Sequence, residues 1–244
     1  MNKLVLIGWG NVAQHFAKSF QSLGFEIVQV ITKNSKSPFP NVHSISEIDT
    51  SADCYFIAVP DDGLAEVAEQ LPQLQGLVIH CCGSKGKEIL KKQKRHGVLY
   101  PLQTFRKESE VDLMGVPFFL ESDQISDLLE MKKWVNHWGG NAFQLSSEEK
   151  QKTHLAAVWS MNFSNAMHVV SEKILNEMNI PFEILKPLLI QALNNALELG
   201  PKSSQTGPAV RRDEHILKIQ SEQMQDELEK TVYLAISKLI QKNT

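Results

Sequence analysis

Cysteine is scarce and shows no pattern. The 244 residues hold three, Cys54, Cys81 and Cys82, with no C-x-x-C pair and too few for a disulfide framework. Cys81 and Cys82 adjoin in an apolar run that reads as a strand, which sends them to opposite faces and argues against a shared metal. The histidines are scattered without H-E-x-x-H or comparable spacing, so no metal site is expected. An excess of one charge is missing too. Twenty-five Lys and Arg against 28 Asp and Glu leave a net charge of −3, which speaks against a nucleic-acid partner. The one basic cluster, Lys91-Lys92-Gln93-Lys94-Arg95-His96, reads as the exposed end of a helix. No apolar run reaches the roughly 20 residues that cross a bilayer. The N-terminus enters a strand without the basic, apolar and cleavage-site regions of a signal peptide. A soluble, cytoplasmic chain with no membrane partner is expected, and no internal repeat or low-complexity tract stands out.

What is present begins at once. Leu4-Val5-Leu6-Ile7 reads as a buried strand, Gly8-Trp9-Gly10-Asn11-Val12-Ala13 follows, and Gln14–Phe20 has helical rhythm. Strand, glycine turn and helix N-terminus are the setting in which G-x-G-x-x-A binds a dinucleotide. Gly8 permits the turn, Gly10 lets backbone approach a pyrophosphate, and Ala13 lets the helix pack closely on its strand. Trp9, Asn11 and Val12 belong to the same phosphate-facing turn. The helix N-terminus offers free N–H groups and partial positive charge. The other reading of these residues is a tight βα turn that binds nothing.

The alternation continues to about residue 147. Strands are read at Phe25–Ile31, Cys54–Pro60, Leu77–Cys81, Gly97–Tyr100, Pro117–Leu120 and Ala142–Leu145. Asp61-Asp62 stand where a helix N-cap belongs, a basic helix is read around residues 87–96, and another helix at Gln124–His137. Nearly continuous apolar strands between helices imply a mostly parallel, doubly wound sheet, an α/β Rossmann domain over residues 1–147. From Ser146-Ser147-Glu148-Glu149 the chain turns helical, over about 148–178, 182–199, 212–222 and 225–241. This makes residues 148–244 an all-α C-terminal domain. Its long first helix is apolar around much of its circumference, with Leu155, Val158, Trp159, Phe163 and Met167, so a second copy of the chain is the expected cover and a homodimer the expected state. A self-contained helical cap is the alternative.

The second strand ends in Thr32-Lys33-Asn34-Ser35-Lys36, with no carboxylate for ribose hydroxyls. Thr32, Lys33, Asn34 and Ser35 would instead welcome a 2′-phosphate, which favours NADP over NAD. A pocket outside the carboxyl ends of the strands would be lined by Trp9, Val59, Pro60, Asp61, Cys82-Gly83-Ser84 and Tyr100–Gln103. His154, in the second turn of the long helix, is the first candidate for proton transfer, because an imidazole titrates near neutral pH. On an ideal helix Asn162 falls on the same side two turns on, about 12 Å away, and would bind substrate or orient His154. The plainer reading makes His154 an interface histidine and Asn162 a buried amide.

These residues carry a resemblance. Leu4–Ala13, Ala58-Val59-Pro60-Asp61-Asp62, Tyr100-Pro101-Leu102-Gln103-Thr104-Phe105 and Thr206-Gly207-Pro208-Ala209-Val210-Arg211-Arg212-Asp213 resemble segments of a Rossmann-like NADP oxidoreductase family whose helical C-terminal domain has no assigned function. The architecture is more distantly similar to pyrroline-carboxylate reductase and phosphogluconate dehydrogenase. The resemblance implies hydride transfer from NADPH to a small carbonyl or imine substrate that can carry a carboxylate, in a cleft completed by the helical domain of a dimer. It also implies that Thr206 and Ser204 hydrogen-bond substrate or nicotinamide, with Arg211 as a carboxylate ligand. Two positions depart from the family: Tyr100 stands where His is usual, and Cys82-Gly83 where Ser-Gly is expected. The alternative they raise is a non-catalytic NADP(H)-binding sensor or scaffold dimer.

Overall fold

Strand β1 (Lys3–Ile7) is buried on both faces, which suits a strand covered on both sides. Leu4 and Leu6 point into one apolar cluster with Phe16, Phe20 and Phe56. Val5 and Ile7 point into another with Tyr55, Ile57 and Leu64. The computed structural model describes residues 2–33, 37–107 and 110–244. Among them, eight strands form one sheet: β1, β2 (Glu26–Ile31), β3 (Asn41–Val42), β4 (Cys54–Ile57), β5 (Leu77–His80), β6 (His96–Pro101), β7 (Pro117–Ser122) and β8 (Asn141–Gln144). Their order is β3-β2-β1-β4-β5-β6-β7-β8, and every neighbouring pair is parallel except β6 with β7. Helices α1 (Asn11–Ser22), α2 (Leu64–Gln70) and α3 (Ile125–His137) cover it, giving the doubly wound, Rossmann-like fold.

Aromatic packing holds α1 in place. Phe16 and Phe20 each meet the Trp138 ring edge-on, at 5.5 and 5.4 Å, and the Trp138 indole N–H donates to the Ser19 carbonyl at 2.8 Å. Truncating either buried phenylalanine to alanine removes about 3–5 kcal/mol in such a setting. The glycine turn is thereby fixed to the most rigid part of the sheet.

Four sequence expectations for this unit are corrected. Strand β3 went unread because two polar-flanked residues carry no period, yet it pairs with β2 through Val30 and Ile31. The segment 87–96 is not a basic helix. It makes one 3-10 turn, Lys87–Leu90, and then a turn pinned by buried Gln93, which donates to the Pro72 carbonyl and accepts from the Leu74 N–H. Asp61 does not cap α2: residues Asp61–Gly63 form a 3-10 turn and the α2 N-cap is Gly63. The ladder of β4 ends at Ile57, three residues before Pro60.

His80 closes β5 and is fully buried. Its Nδ1 accepts from the Cys82 N–H at 3.1 Å and its Nε2–H donates to the Gly86 carbonyl at 3.2 Å, so both nitrogens are committed in the neutral ring. Burial lowers its pKa to about 4. The unfolded chain takes up a proton near pH 6.5 that the fold refuses until about pH 4. Stability is therefore complete above pH 6.5 and falls with pH through that window, by about 2 kcal/mol at pH 5. Urea midpoints measured from pH 8 to pH 4.5 should show this slope, and the His80→Gln variant should show it flattened.

The chain divides into two compact units, Met1–Ser160 and Met161–Thr244. Helix α4 (Ser147–Ala157) opens with a full capping box: the Ser146 hydroxyl accepts from the Glu149 N–H, and the Glu149 carboxylate accepts from the Ser146 N–H. The long helix expected over 148–178 is broken by a π-helical stretch, Val158–Phe163, before α5 (Ser164–Asn176). The second unit continues with α6 (Lys186–Leu199), α7 (Glu214–Glu222) and α8 (Glu227–Asn243). Pro187 sits in the first turn of α6 and sets its start, after a separate 3-10 turn at Phe182–Leu185. Helix α7 begins at Glu214 under an Asp213 cap, so Arg211 and Arg212 lie in the preceding turn and not in the helix. Helices α5 and α6 bury no residue; Leu188, Leu193 and Leu197 are 64%, 61% and 76% exposed. No helix among the described residues is long and apolar enough to cross a membrane.

Candidate functional site

The site begins at the end of β1. Gly8 has φ +99°, and a Cβ there would overlap the Ala58 carbonyl, so the turn into α1 requires glycine. Its N–H donates to Ile31 O at 2.8 Å, tying the ends of β1 and β2 together. Gly10 is the α1 N-cap and brings no side chain to the helix N–H groups. A Cβ at Gly10 would meet nothing within 4 Å. An uncapped helix N-terminus under open space is what a diphosphate needs. Asn11 and Val12 occupy the first turn of α1. The Asn11 amide donates sideways to the Phe105 carbonyl at 3.2 Å, so these two residues offer the space their backbone N–H groups.

A cleft of about 400 Å³ extends from this turn across the ends of β1, β2 and β4. It gathers Gly8, Trp9, Gly10, Thr32, Lys33, Val59 and Pro60 of the expected set. It also holds three residues that sequence reading passed over: His43, Ser44 and Glu66. The Glu66 carboxylate lies 3.8 Å from Lys33 Nζ, with both side chains exposed. Asn34 and Ser35, expected at the 2′-phosphate, lie outside the described residues, as does Lys36.

Next along the strand ends, the residue after Pro60 leads to a second group. The Ser84 hydroxyl donates to Asp61 Oδ2 at 2.5 Å, and Cys82 Sγ lies 3.3 Å from Ser84 Oγ. Burial alone would raise the Asp61 carboxyl, but the hydrogen bonds from Ser84 and Cys82, with His154 and Lys85 nearby, outweigh it and hold it below its usual value. Burial raises the Cys82 thiol, which keeps it neutral and unsuited to nucleophilic attack. Beside this group the Tyr100 hydroxyl and His154 Nδ1 are 2.8 Å apart. Gly83 lies under the pair, where a Cβ would come within 2.5 Å of His154 Nδ1 and 2.8 Å of Tyr100 Cζ. Burial, with the Asp61 carboxylate adding negative charge, pushes the Tyr100 phenol up to about 12, so it keeps its proton and has it to donate to Nδ1. That bond fixes the neutral His154 tautomer with hydrogen on Nε2.

Lys150 secures this arrangement from below. It lies one helical turn before His154, is fully buried, and donates to the Cys82 and Gly83 carbonyls at 2.9 and 3.3 Å and to the Lys85 carbonyl. Its counter-ion is buried Glu121, at 3.4 Å, which also accepts from the Ser147 hydroxyl at 2.5 Å. Burial lowers the Lys150 pKa, against the opposing pull of Glu121.

Asn162 and Thr206 belong to the second unit. Asn162 is exposed within the π-helical stretch, where the ideal α-helical phase that set it beside His154 does not apply. Thr206 lines an apolar groove of about 510 Å³ between α5, α7 and α8, with Met167, Leu217 and Ile236. The Tyr100–His154 pair and the Lys150–Glu121 pair were missed because 54 and 29 residues separate their members. The Tyr-Pro-Leu-Gln-Thr-Phe motif was the available signal for the first. Among the described residues, no group of three or more His, Cys, Asp or Glu could hold a metal.

Residues 116–240 match a family described as Domain of unknown function (DUF2520). Among solved structures, the chain is similar to the "putative NADP oxidoreductase" BF3122 of Bacteroides fragilis, at 30% identity and TM-score 0.88, over 99% of this chain and 98% of that one. Protein TM1727 of Thermotoga maritima is similar at 23% identity and TM-score 0.71, over 98% and 97% of the two chains. Plasmodium falciparum pyrroline carboxylate reductase, solved with NADP bound, shares the fold at 13% identity and TM-score 0.62, over 98% of each chain. No curated protein matches the sequence.

Proposed function

The chain belongs to the DUF2520 family, and on that premise we propose that it is an NADPH-dependent oxidoreductase acting on a small carbonyl or imine substrate that can carry a carboxylate. The observation that carries the reading is the uncapped N-terminus of α1 beneath the open space over Gly10, continuous with a cleft that ends at Lys33. The N–H groups of Asn11 and Val12 would hold the diphosphate, while Val59 and Pro60 wall the adenosine side. Thr32, Lys33, Asn34 and Ser35 would take the 2′-phosphate. Cys82 would border the nicotinamide end. NADPH, when bound, supplies the hydride.

The chain's own part is the proton. His154 Nε2–H would pass to the developing alkoxide or amine nitrogen as the Tyr100 hydroxyl passes its own proton to Nδ1, leaving a neutral imidazole and a phenolate that regains its proton from solvent. Asn162 and Thr206 are the second unit's candidates for hydrogen bonds to substrate. The bare apolar faces of α5 and α6 support a homodimer in which a second copy covers them, and the cysteine usage supports a cytoplasmic one.

The test has two stages. NADPH should bind in a fluorescence titration and raise the melting temperature, and a panel of cyclic imines and keto acids should then reveal oxidation of NADPH. Tyr100→Phe should lower turnover of the substrate found by about tenfold to a hundredfold with NADPH affinity unchanged. Failure to bind NADP(H) would sink the proposal. Tight binding with no turnover across the panel would replace the enzyme with a non-catalytic NADP(H)-binding protein.

A further inference from the structure

The cleft at the carboxyl ends of β1, β2 and β4 contains a histidine ring of its own, His43. Strand β3 runs parallel to β2 for two residues, Val30 opposite Asn41 and Ile31 opposite Val42. The Thr32 N–H extends the ladder to the Val42 carbonyl at 3.0 Å. This sets His43, the next residue, against the end of β2. Its Nδ1 lies 2.8 Å from the Thr32 carbonyl, and a carbonyl can only accept, so Nδ1 carries hydrogen. Nε2 has no protein hydrogen-bond partner among the described residues. The ring lines the cleft together with Lys33 and Ser44.

A ring fixed this way has two states with opposite meaning for an anion. Neutral, it presents a lone pair at Nε2 that offers a phosphate nothing. Protonated, it presents an N–H and a positive charge, and its bond to the Thr32 carbonyl is kept in both states. We infer that His43 is a specificity-determining residue of the nucleotide site, binding the adenosine 2′-phosphate in its protonated form and so linking the choice of NADPH over NADH to proton uptake. This rests on the proposed dinucleotide function and adds to it the group that recognises the 2′-phosphate. The other titratable groups lining the cleft among the described residues are Lys33 and Glu66. Glu47 is the charged residue of the 3-10 turn that follows His43. Lys33 and Glu66 face each other at 3.8 Å, whereas the His43 ring turns a nitrogen without a protein partner among the described residues to the cleft, so the imidazole is the group there whose protonation a phosphate would favour.

Isothermal titration at pH 7.5 in buffers of different ionisation enthalpy measures that uptake directly. NADPH binding should take up a substantial fraction of a proton, and NADH binding almost none. The fragment 2′,5′-ADP should behave as NADPH does. His43→Gln should abolish the uptake and weaken NADPH roughly tenfold or more, with NADH affinity unchanged. The unchanged NADH affinity reports that the variant's cleft is intact, and the proton count on the unaltered protein needs no variant. Binding of NADPH without proton uptake, or uptake that persists in His43→Gln, would overturn the inference while leaving the dinucleotide site standing. Failure of both nucleotides to bind would overturn the site itself.

Discussion

Gly10→Val should weaken NADPH binding by about a hundredfold or more and lower stability in urea by no more than about 1 kcal/mol. The side chain would enter space that holds no protein atom within 4 Å, so no packing is disturbed. Valine ranks below glycine at a helix N-cap, a cost of about 1 kcal/mol, and no side-chain cap is removed with it. The ligand loses much more. A diphosphate kept away from the α1 N-terminus forfeits two or more hydrogen bonds to a charged group, each worth about 1.5–3 kcal/mol. Gly8→Ala provides the contrast. With φ at +99° and the Ala58 carbonyl in the way, that variant should lose stability as well as affinity, by a few kcal/mol. Two glycines two residues apart should therefore separate cleanly in a paired measurement of unfolding and binding. Equal loss of stability at both positions would mean that the turn is structural and the open space incidental.

Lys150→Met should be as damaging as truncating a core phenylalanine, costing about 3–5 kcal/mol in urea unfolding. The ammonium is fully buried and serves three carbonyls of the Cys82–Lys85 loop as well as Glu121. Methionine matches its length but leaves a buried carboxylate without its counter-ion and several carbonyls without a donor. Most of the cost comes from the stranded Glu121 and not from lost attraction, so Lys150→Met with Glu121→Gln should recover part of it. A coupling energy near zero in that double-mutant cycle would show that the two residues act independently. Because the same loop places Gly83 under His154, the single variant should also weaken the Tyr100–His154 bond.

The parts of this fold that can be read from sequence are those whose signal is local. The buried run Leu4–Ile7, the glycines at 8 and 10 and the Ser146–Glu149 capping box each declare themselves within a few residues, and each forms. Strand β3 escapes because Asn41 and Val42 are recruited by β2 and have no alternation of their own. The segment after β5 has the composition of a helix and lacks the room for one. Only 15 residues join His80 to His96; Lys150 claims the Cys82, Gly83 and Lys85 carbonyls among them, and the Gln93 side chain ties the segment's end to Pro72 and Leu74. The π-helical stretch is invisible for a different reason: Val158–Phe163 has good α-helical pattern, and the wider turn appears only in its hydrogen bonding.

The site divides along the same line. The nucleotide cleft follows the order of the strands, so residues at their carboxyl ends converge on it by topology. His154 and Tyr100 were each placed at the pocket from the sequence, whereas their pairing appears only in the three-dimensional meeting of β6 and α4. His43 and Glu66 were passed over because neither belongs to a motif; one enters the cleft from the short β3 edge and the other from α2.

The uncovered leucines of α6 affect any experiment carried out on this protein. In the proposed homodimer a second copy would cover Leu188, Leu193 and Leu197, and thermal midpoints would then climb as the sample is concentrated and fall on dilution. Affinities measured at nanomolar and at micromolar protein then describe two different populations, and comparisons between variants need one fixed protein concentration.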